Sequence, residues 1–246
     1  MYIYGRNILL EILASGNREQ LRRIFFAPAS AEWIEHNVVA RDASLPCSRV
    51  PPKTLEQLVG KNVPHQGVVM DIKEFPYVDF DRWLQQQEHL PASFAVVLDR
   101  VQDPHNLGAI IRTAFGSGAS GLLLPQDHSA QITPAVVKVS TGTAFRLPMV
   151  RVVNLRRAIE QLKENGFWVY GAHAGGKPYG EIAFPAKTVL VLGNEGEGIR
   201  RLLLESCDEL VSIPMYRELD SLNVSVSAGV LCFDVARKIF AREETQ

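Results

Sequence analysis

The chain has 246 residues, 46% of them hydrophobic and 22% charged, with a net charge of −1. This is the composition of an ordinary soluble globular protein of one large or two small domains. No stretch approaches the roughly 20 apolar residues of a membrane span, and the opening MYIYGRNILLEIL lacks the charged, apolar and small-residue order of a signal peptide. Cys47, Cys207 and Cys232 lie far apart with no CxxC spacing, which points to a reducing compartment and no structural zinc site. Each sits among apolar residues and reads as a small buried hydrophobe. The expected location is the cytoplasm. The charge balance carries no global nucleic-acid signature, so any such contact must come from local basic patches.

The first elements in chain order are a helix from Arg6 to Leu13, a strand from Arg23 to Ala27 and a helix from Ala31 to Val39. A strand from Cys47 to Val50 follows, then a short helix through Val59 with Thr54 as its N-cap, and a strand from Gly67 to Ile72. These make an α/β module of about seventy residues, near the lower size for independent folding. It carries nine Lys/Arg against seven Asp/Glu over residues 1–73. Residues 74–92 mix prolines, acids and glutamines and read as a linker with one short helix around Trp83.

From Phe94 onward strands and helices alternate. Strands are predicted at Ala95–Leu98, Gly121–Leu124, Pro148–Val152, Trp168–Ala172, Val189–Leu192 and Leu210–Ile213. They are short apolar runs of the kind found in parallel sheets covered on both faces. Helices are predicted at 106–117, 133–141, 155–164 and 199–205, with a long final helix within 222–242. On the last, Val224, Ala228, Leu231, Val235 and Ile239 are spaced for one buried face. Residues 93–246 therefore read as an α/β domain with a largely parallel sheet.

Such a domain usually binds its ligand beyond the carboxyl ends of its strands. The first strand runs into LDRVQDPHNLG, which is neither GxGxxG nor a P-loop, so dinucleotide and nucleotide-phosphate readings are weak. Three strand ends, this first one among them, carry polar residues. In DRVQDPHNLGAIIRTA (99–114), Asn106 is placed to cap exposed amides, while Leu107, Ile110, Ile111 and Ala114 form a core stripe. Arg112 points away from that stripe, and by spacing alone is a solvated helix arginine. In VLVLGNEGEGI (189–199), three glycines let backbone approach a ligand closely, with Glu195 and Glu197 between them; the fragment alone also suits a hairpin or a helix start. In IPMYRELDSLNVSVS (213–227), Ser221 and Asn223 stand at the mouth of the last helix, where Ser221 alone reads as an N-cap.

Taken together, in this order and at three strand ends of one domain, these segments closely resemble the signature motifs of the SpoU/TrmH family of SPOUT RNA ribose methyltransferases. The resemblance covers essentially the whole chain. Residues 1–73 resemble the small ribosomal-protein-like RNA-binding domain that precedes the catalytic domain in many members. The length, VPHQGVV at 63–69 and DHSAQITPAVVKVSTGTA at 127–144 look most like the bacterial RlmB branch, which methylates a guanosine in the peptidyl-transferase region of 23S ribosomal RNA.

The resemblance implies a trefoil-knotted C-terminal SPOUT domain that binds S-adenosylmethionine through Leu192, Gly193, Ile213, Met215, Leu222 and Asn223. A side chain at Gly193 is expected to crowd the adenosyl group. It implies a site of Asn106, Arg112, Glu195, Ser221 and Asn223 acting on a ribose 2′-hydroxyl, the group that separates RNA from DNA. Asn106 and Glu195 shape that site, while Ser221 and Asn223 position the ribose and the loop. The family often casts Arg112 as the base, but a guanidinium holds its proton, so a phosphate clamp is the plain alternative. The family also implies homodimers with active sites at the interface. Val224 and Ala228 of the final helix are candidate contacts, or equally core. The family's glycine after IPM is absent here, with Tyr216, Arg217 and Glu218 in its place, and a bulky loop there could reshape the entrance.

In the N-terminal domain Arg6, Asn7, Arg22 and Arg23 are candidate RNA contacts, with Arg18 and Lys61 behind them. His65 is expected to brace this domain and His105 to cap a helix, and no histidine pair has metal-ligand spacing. The leading expectation is methylation of 23S rRNA. The same chemistry on tRNA or another rRNA site is one alternative, and a catalytically silent RNA-binding or ribosome-assembly protein is another. A nicotinamide-dependent oxidoreductase is disfavoured by the missing glycine fingerprint.

Overall fold

Valine and leucine runs without polar alternation need apolar cover on both faces, and packed helices supply it. The computed structural model describes residues 1–240. In chain order its elements are β1 (Tyr2–Tyr4), α1 (Arg6–Ala14), β2 (Leu21–Phe26), α2 (Ala31–Ile34), β3 (Cys47–Arg49), α3 (Pro52–Val59), β4 (Val68–Ile72) and α4 (Phe80–Glu88). Then come β5 (Ser93–Leu98), α5 (Pro104–Gly116), β6 (Gly121–Pro125), α6 (Pro134–Val139), β7 (Met149–Val152) and α7 (Leu155–Glu164). The chain continues with β8 (Trp168–Pro178), β9 (Lys187–Leu192), α8 (Arg201–Leu204), β10 (Glu209–Ser212) and α9 (Val224–Phe240). Residues 241–242 of the expected last helix lie outside the described residues. Among the described residues no helix is long and apolar enough to cross a membrane.

The chain divides into two compact units. The first joins Met1–Pro76 to Ile132–Arg146, and the second joins Tyr77–Gln131 to the residues from Leu147 onward. In the first unit the sheet order is β1-β4-β2-β3, with β2 and β3 parallel and the other pairs antiparallel. Strand β1 was not anticipated, because three residues at the chain start give no period to read. Thr54 does not cap α3: the helix begins two residues earlier, at Pro52, where a proline's fixed φ suits the first turn. Residues 31–39 begin as α-helix and end as a π-turn from Glu35 to Val39. The segment 132–146 belongs to this unit: the Lys138 ammonium lies 5.2 Å from the Tyr4 ring centre, and Asn17 donates to the Phe145 carbonyl at 2.9 Å.

The register of β2 shifts between Leu21 and Arg23 against β4. This inserts an extra residue into β2, so the two successive arginines, Arg22 and Arg23, are both exposed where strict alternation would turn one inward.

The second unit carries a six-stranded sheet of order β10-β8-β9-β5-β6-β7, with every pair parallel. All six residues of β5 are buried. The sequence-predicted stripe on α5 (Leu107, Ile110, Ile111 and Ala114) is fully buried, as are Ala228 and Val235 of α9. Val224 and Ala228 thereby fall in the core of the unit, which removes them as exposed dimer contacts.

Helix α4, in the stretch read as a linker, is a packed element capped by Asp79, whose carboxylate accepts from the Arg82 amide. Its Trp83 is fully buried, donates to the Ser120 carbonyl at 3.1 Å, and fits because residue 121 is glycine: a Cβ there would lie 2.6 Å from the indole nitrogen. Trp83→Ala is expected to destabilise the second unit by about 3–5 kcal/mol, read as a lowered denaturation midpoint in urea.

Candidate active site

A parallel sheet delivers all its carboxyl ends to one edge, and the polar loops of the sequence follow β5, β9 and β10. The loop after β5 enters α5, ten residues of which, from Leu107 to Gly116, form the body of the helix. Asp103, rather than Asn106 or His105, caps it, its carboxylate accepting the His105 amide at 3.0 Å. Freed from capping, Asn106 donates through Nδ2 to Oε1 of Glu195, and its Oδ1 accepts from Nδ2 of Asn223 at 3.1 Å. The three motifs are thus joined by two hydrogen bonds across separations of 89 and 117 residues.

The loop after β9 is a closed backbone turn. The amide of Asn194 donates to the Gly198 carbonyl at 3.1 Å, and the amide of Gly198 returns a bond to Asn194 at 2.9 Å. A Cβ on Gly193 would lie 2.1 Å from the carbonyl carbon of Gly198 and 2.2 Å from the nitrogen of Ile199. The glycine is therefore required by the turn's own backbone, a reason different from the expected clash with a ligand. Asn194 fixes the turn twice more: its Oδ1 accepts the Gly196 amide at 2.8 Å, and its Nδ2 donates to the Arg100 carbonyl at 3.0 Å.

A further clamp was not anticipated. The fully buried Asp99 carboxylate accepts the Arg200 amide at 2.8 Å and its Nε at 2.9 Å, with a guanidinium nitrogen also at 2.8 Å. It bolts the end of β5 to Arg200, two residues past the turn. The available signal was a lone acid at the end of an apolar strand, which by itself names no partner.

The loop after β10 reaches α9, where Asn223 is the cap: its Oδ1 accepts the Ser225 amide at 2.9 Å. Ser221 is therefore not the cap, and is exposed beside two adjoining crevices of about 370 and 330 Å³. Leu192, Gly193 and Glu195 line the smaller, Ile213 and Met215 the larger, and Ser221 and Leu222 both. Ala172, His173 and Asp220, unremarked in the sequence, also line both. Tyr216, Arg217 and Glu218 line neither, and Tyr216 is 96% exposed, so the bulky substitution faces outward.

Arg112 is exposed on α5, makes no hydrogen bond or ion pair among the described residues, and lines neither crevice. In the first unit, Arg6 is engaged internally, bonded to the Ser30 hydroxyl at 3.2 Å and lying over the Trp33 ring. Arg18 faces Asp42, and His65 accepts the Gly67 amide within its turn. Asn7, Arg22 and Arg23 are exposed. Cys232 is buried, while Cys47 and Cys207 are only half-buried. Burial pushes the Cys207 and Cys232 thiols up to about 12, so neither is a nucleophile at neutral pH. Among the described residues no three His, Cys, Asp or Glu side chains are grouped to hold a metal.

Residues 93–233 match the SpoU rRNA Methylase family, and residues 2–78 match the RNA 2′-O ribose methyltransferase substrate binding domain. The chain belongs to the SpoU methylase family. It is 37% identical to a Staphylococcus haemolyticus protein named for the TrmH family of tRNA/rRNA methyltransferases, over 96% of this chain and 95% of that one. The crystal structure of the SpoU methyltransferase AviRb from Streptomyces viridochromogenes, in complex with AdoMet, superposes with a TM-score of 0.81. It is 26% identical and the match covers 98% of this chain and 91% of that one. An AdoMet-bound rRNA methyltransferase from Sinorhizobium meliloti gives 0.78 at 26% identity, covering 96% and 86%. This SpoU methylase has the SPOUT fold with an N-terminal substrate-binding domain, and is an RNA ribose 2′-O-methyltransferase using S-adenosylmethionine.

The adjoining crevices of this SpoU methylase suit that cofactor. Together they fall in the size range of small-molecule sites; Ile213, Met215, Leu222 and Leu231 offer apolar cover, and the Gly193–Gly198 backbone offers polar groups. The carboxylates of Glu195 and Asp220 stand at the rim, where a cationic ligand is favoured. Asn106→Ala should lower turnover about 10–100-fold, equivalent to ~1.4–2.8 kcal/mol, because it frees Glu195 and Asn223 together. Its hydrogen bonds are exposed, so denaturation should register a loss of no more than about 1 kcal/mol.

Proposed function

We propose that the protein methylates the ribose 2′-hydroxyl of a guanosine in the peptidyl-transferase region of 23S rRNA, as a cytoplasmic homodimer. The observation that carries the chemistry is the Asn106–Glu195–Asn223 network beside the crevices. The VPHQGVV and DHSAQITPAVVKVSTGTA runs, which resemble the RlmB branch, support the choice of RNA. A second reading, the same chemistry on tRNA, is favoured by the relative named for tRNA and rRNA together.

S-adenosylmethionine, when bound, supplies a methyl group on a positively charged sulfur, so the protein must orient the ribose oxygen and accept its proton. Leu192, Gly193, Ile213, Met215 and Leu222 hold the cofactor, whereas Asn223, also expected there, lines neither crevice and acts through the network. Asn106 aims the Glu195 carboxylate by holding one of its oxygens, leaving the other free to accept the 2′-hydroxyl hydrogen. Asn223, fixed by Ser225 and Asn106, sets the height of the loop that presents Ser221 to the ribose. Arg112, with no hydrogen bond or ion pair among the described residues, clamps the phosphate next to the target and stabilises the developing oxyanion. Residues 1–73 grip RNA through Asn7, Arg22 and Arg23, with Arg6 organising their surroundings, and residues 93–246 carry the reaction.

The dimer reading rests on α9. Val226 and Phe233 are 50% and 53% exposed and seven residues apart, hence on one face. Phe233 borders Gly116 of α5, whose Cβ position lies 3.7 Å from its ring. Arg112 precedes Gly116 by four residues and shares its face, so pairing through this surface brings Arg112 to the interface.

Incubation with S-adenosylmethionine and transcripts of 23S rRNA fragments or tRNA, followed by mapping of ribose methylation, is expected to mark one guanosine of the 23S fragment. Modification of tRNA alone would establish the second reading. Arg112→Ala should reduce the rate at least ~100-fold with cofactor affinity retained. Phe233→Glu should shift the sedimenting species from dimer to monomer.

A further inference from the structure

A larger crevice, about 590 Å³, opens on the same carboxyl edge of the second unit, outside the ends of β5, β6 and β7. None of the residues assigned above to cofactor or chemistry lines it. Its lining contains four arginines, Arg100, Arg156, Arg200 and Arg201, against one carboxylate, Asp127.

Each of the four arginines has one acidic partner, yet each keeps part of its side chain exposed to a ligand. Among the described residues Arg156 and Arg201 meet Glu160 and Glu205, each four residues along the chain, with side chains 57% and 86% exposed, and such pairs contribute little. Arg200 gives one side of its fork to Asp99, yet its side chain stays 43% exposed. Arg100 reaches Glu197 at 3.2 Å, while its own Nε is buried with no hydrogen-bond partner among the described residues. The N-terminus of the ten-residue α7, capped by Asn154, opens into the same space and adds the positive end of a helix dipole. Two of the lining residues hold left-handed backbone without being glycine: Arg100 at φ 59° and His128 at φ 60°, at the ends of neighbouring strands. Such conformations are uncommon outside glycine and concentrate at functional sites.

We propose that this crevice binds the phosphodiester backbone of the RNA strand that flanks the methylated nucleotide. Guanidinium forks match phosphate oxygens, and four of them with a helix terminus exceed what one isolated phosphate requires. The exposed side chains of Val153 and Leu202 on its lining supply apolar contact for a ribose or base. The crevice also communicates with the chemistry. The Arg100 carbonyl accepts from Asn194 and its guanidinium pairs with Glu197, and Arg200 lies two residues past the turn, so a phosphate here bears on the backbone that positions Glu195. Binding would draw Arg100 toward the phosphate and away from Glu197.

The inference rests on RNA being the substrate, and the test separates the two. Binding of 23S and tRNA transcripts to the full-length wild-type protein is measured first, over a series of salt concentrations. Failure of the wild type to bind either transcript would remove the RNA reading and this inference with it. The double variants Arg156→Glu/Arg201→Glu and Arg156→Gln/Arg201→Gln are then compared, with calorimetric titration of S-adenosylmethionine confirming an intact fold and cofactor site. The expected result is RNA affinity lowered about tenfold or more in both. The slope of log affinity against log salt should fall by about 1.4, since each single-strand phosphate contact contributes ~0.7. Unchanged affinity and slope, with wild-type binding intact, would overturn the proposal. So would saturable binding of inorganic phosphate that the variants lose while RNA binding is unaltered, which would place a small anion there.

Discussion

The site depends on how closely the backbone passes itself after β9. Gly193 packs against the peptide joining Gly198 to Ile199, within a distance that no side chain can enter. That contact closes the 194–198 turn, and the closed turn sets Glu195 beside Asn106 and places Glu197 against Arg100. The wall of this crevice and the orientation of its carboxylate are therefore consequences of one glycine. The same close approach explains why Asn194 is suited to its place: its amide spends both ends on backbone groups, one inside the turn and one on Arg100.

Around this turn the carboxyl edge of the sheet divides its work. On one side lie the two crevices bounded by β8, β9, β10 and the loop into α9. On the other lies the arginine-lined crevice beyond β5, β6 and β7. The Asp99–Arg200 clamp stands between them. Its carboxylate is wholly buried, and three donor contacts from Arg200 compensate the loss of water. A parallel sheet makes this arrangement natural, because every strand delivers its loop to the same edge. The residue that anchors the turn is also the one that lines the basic crevice.

The charge distribution follows the same logic. A chain of net charge −1 has no uniform attraction for RNA, so any affinity must come from local groups of arginines. In the first unit a β-bulge exposes Arg22 and Arg23 together. In the second, the strand ends gather four arginines in one crevice. The first cluster is a sequence pair, while the second is assembled from three separate stretches of the chain.

The sequence by itself determined the alternation of strands and helices, the buried stripes of α5 and α9, and the three polar strand-end segments. These are local properties: apolar period, turn residues and motif spacing are written in neighbouring positions. The family of the chain was legible for the same reason, since its motifs are short. Local signals also misplaced details. Asn106, His105, Ser221 and Thr54 all looked like caps, and the caps went to Asp103, Asn223 and Pro51. An amide or hydroxyl near a helix start satisfies the cap rule equally well from several positions, and only the partners across the fold decide which one is free. Tertiary structure alone decided that Asn106 bonds to Glu195 and Asn223, that Asp99 clamps Arg200, that Val224 and Ala228 are core, and that residues 132–146 fold with the first unit. Each is a contact between residues far apart in the chain. Periodicity fixes which face of an element is apolar, but the order of strands fixes what that face, and each strand end, comes to meet.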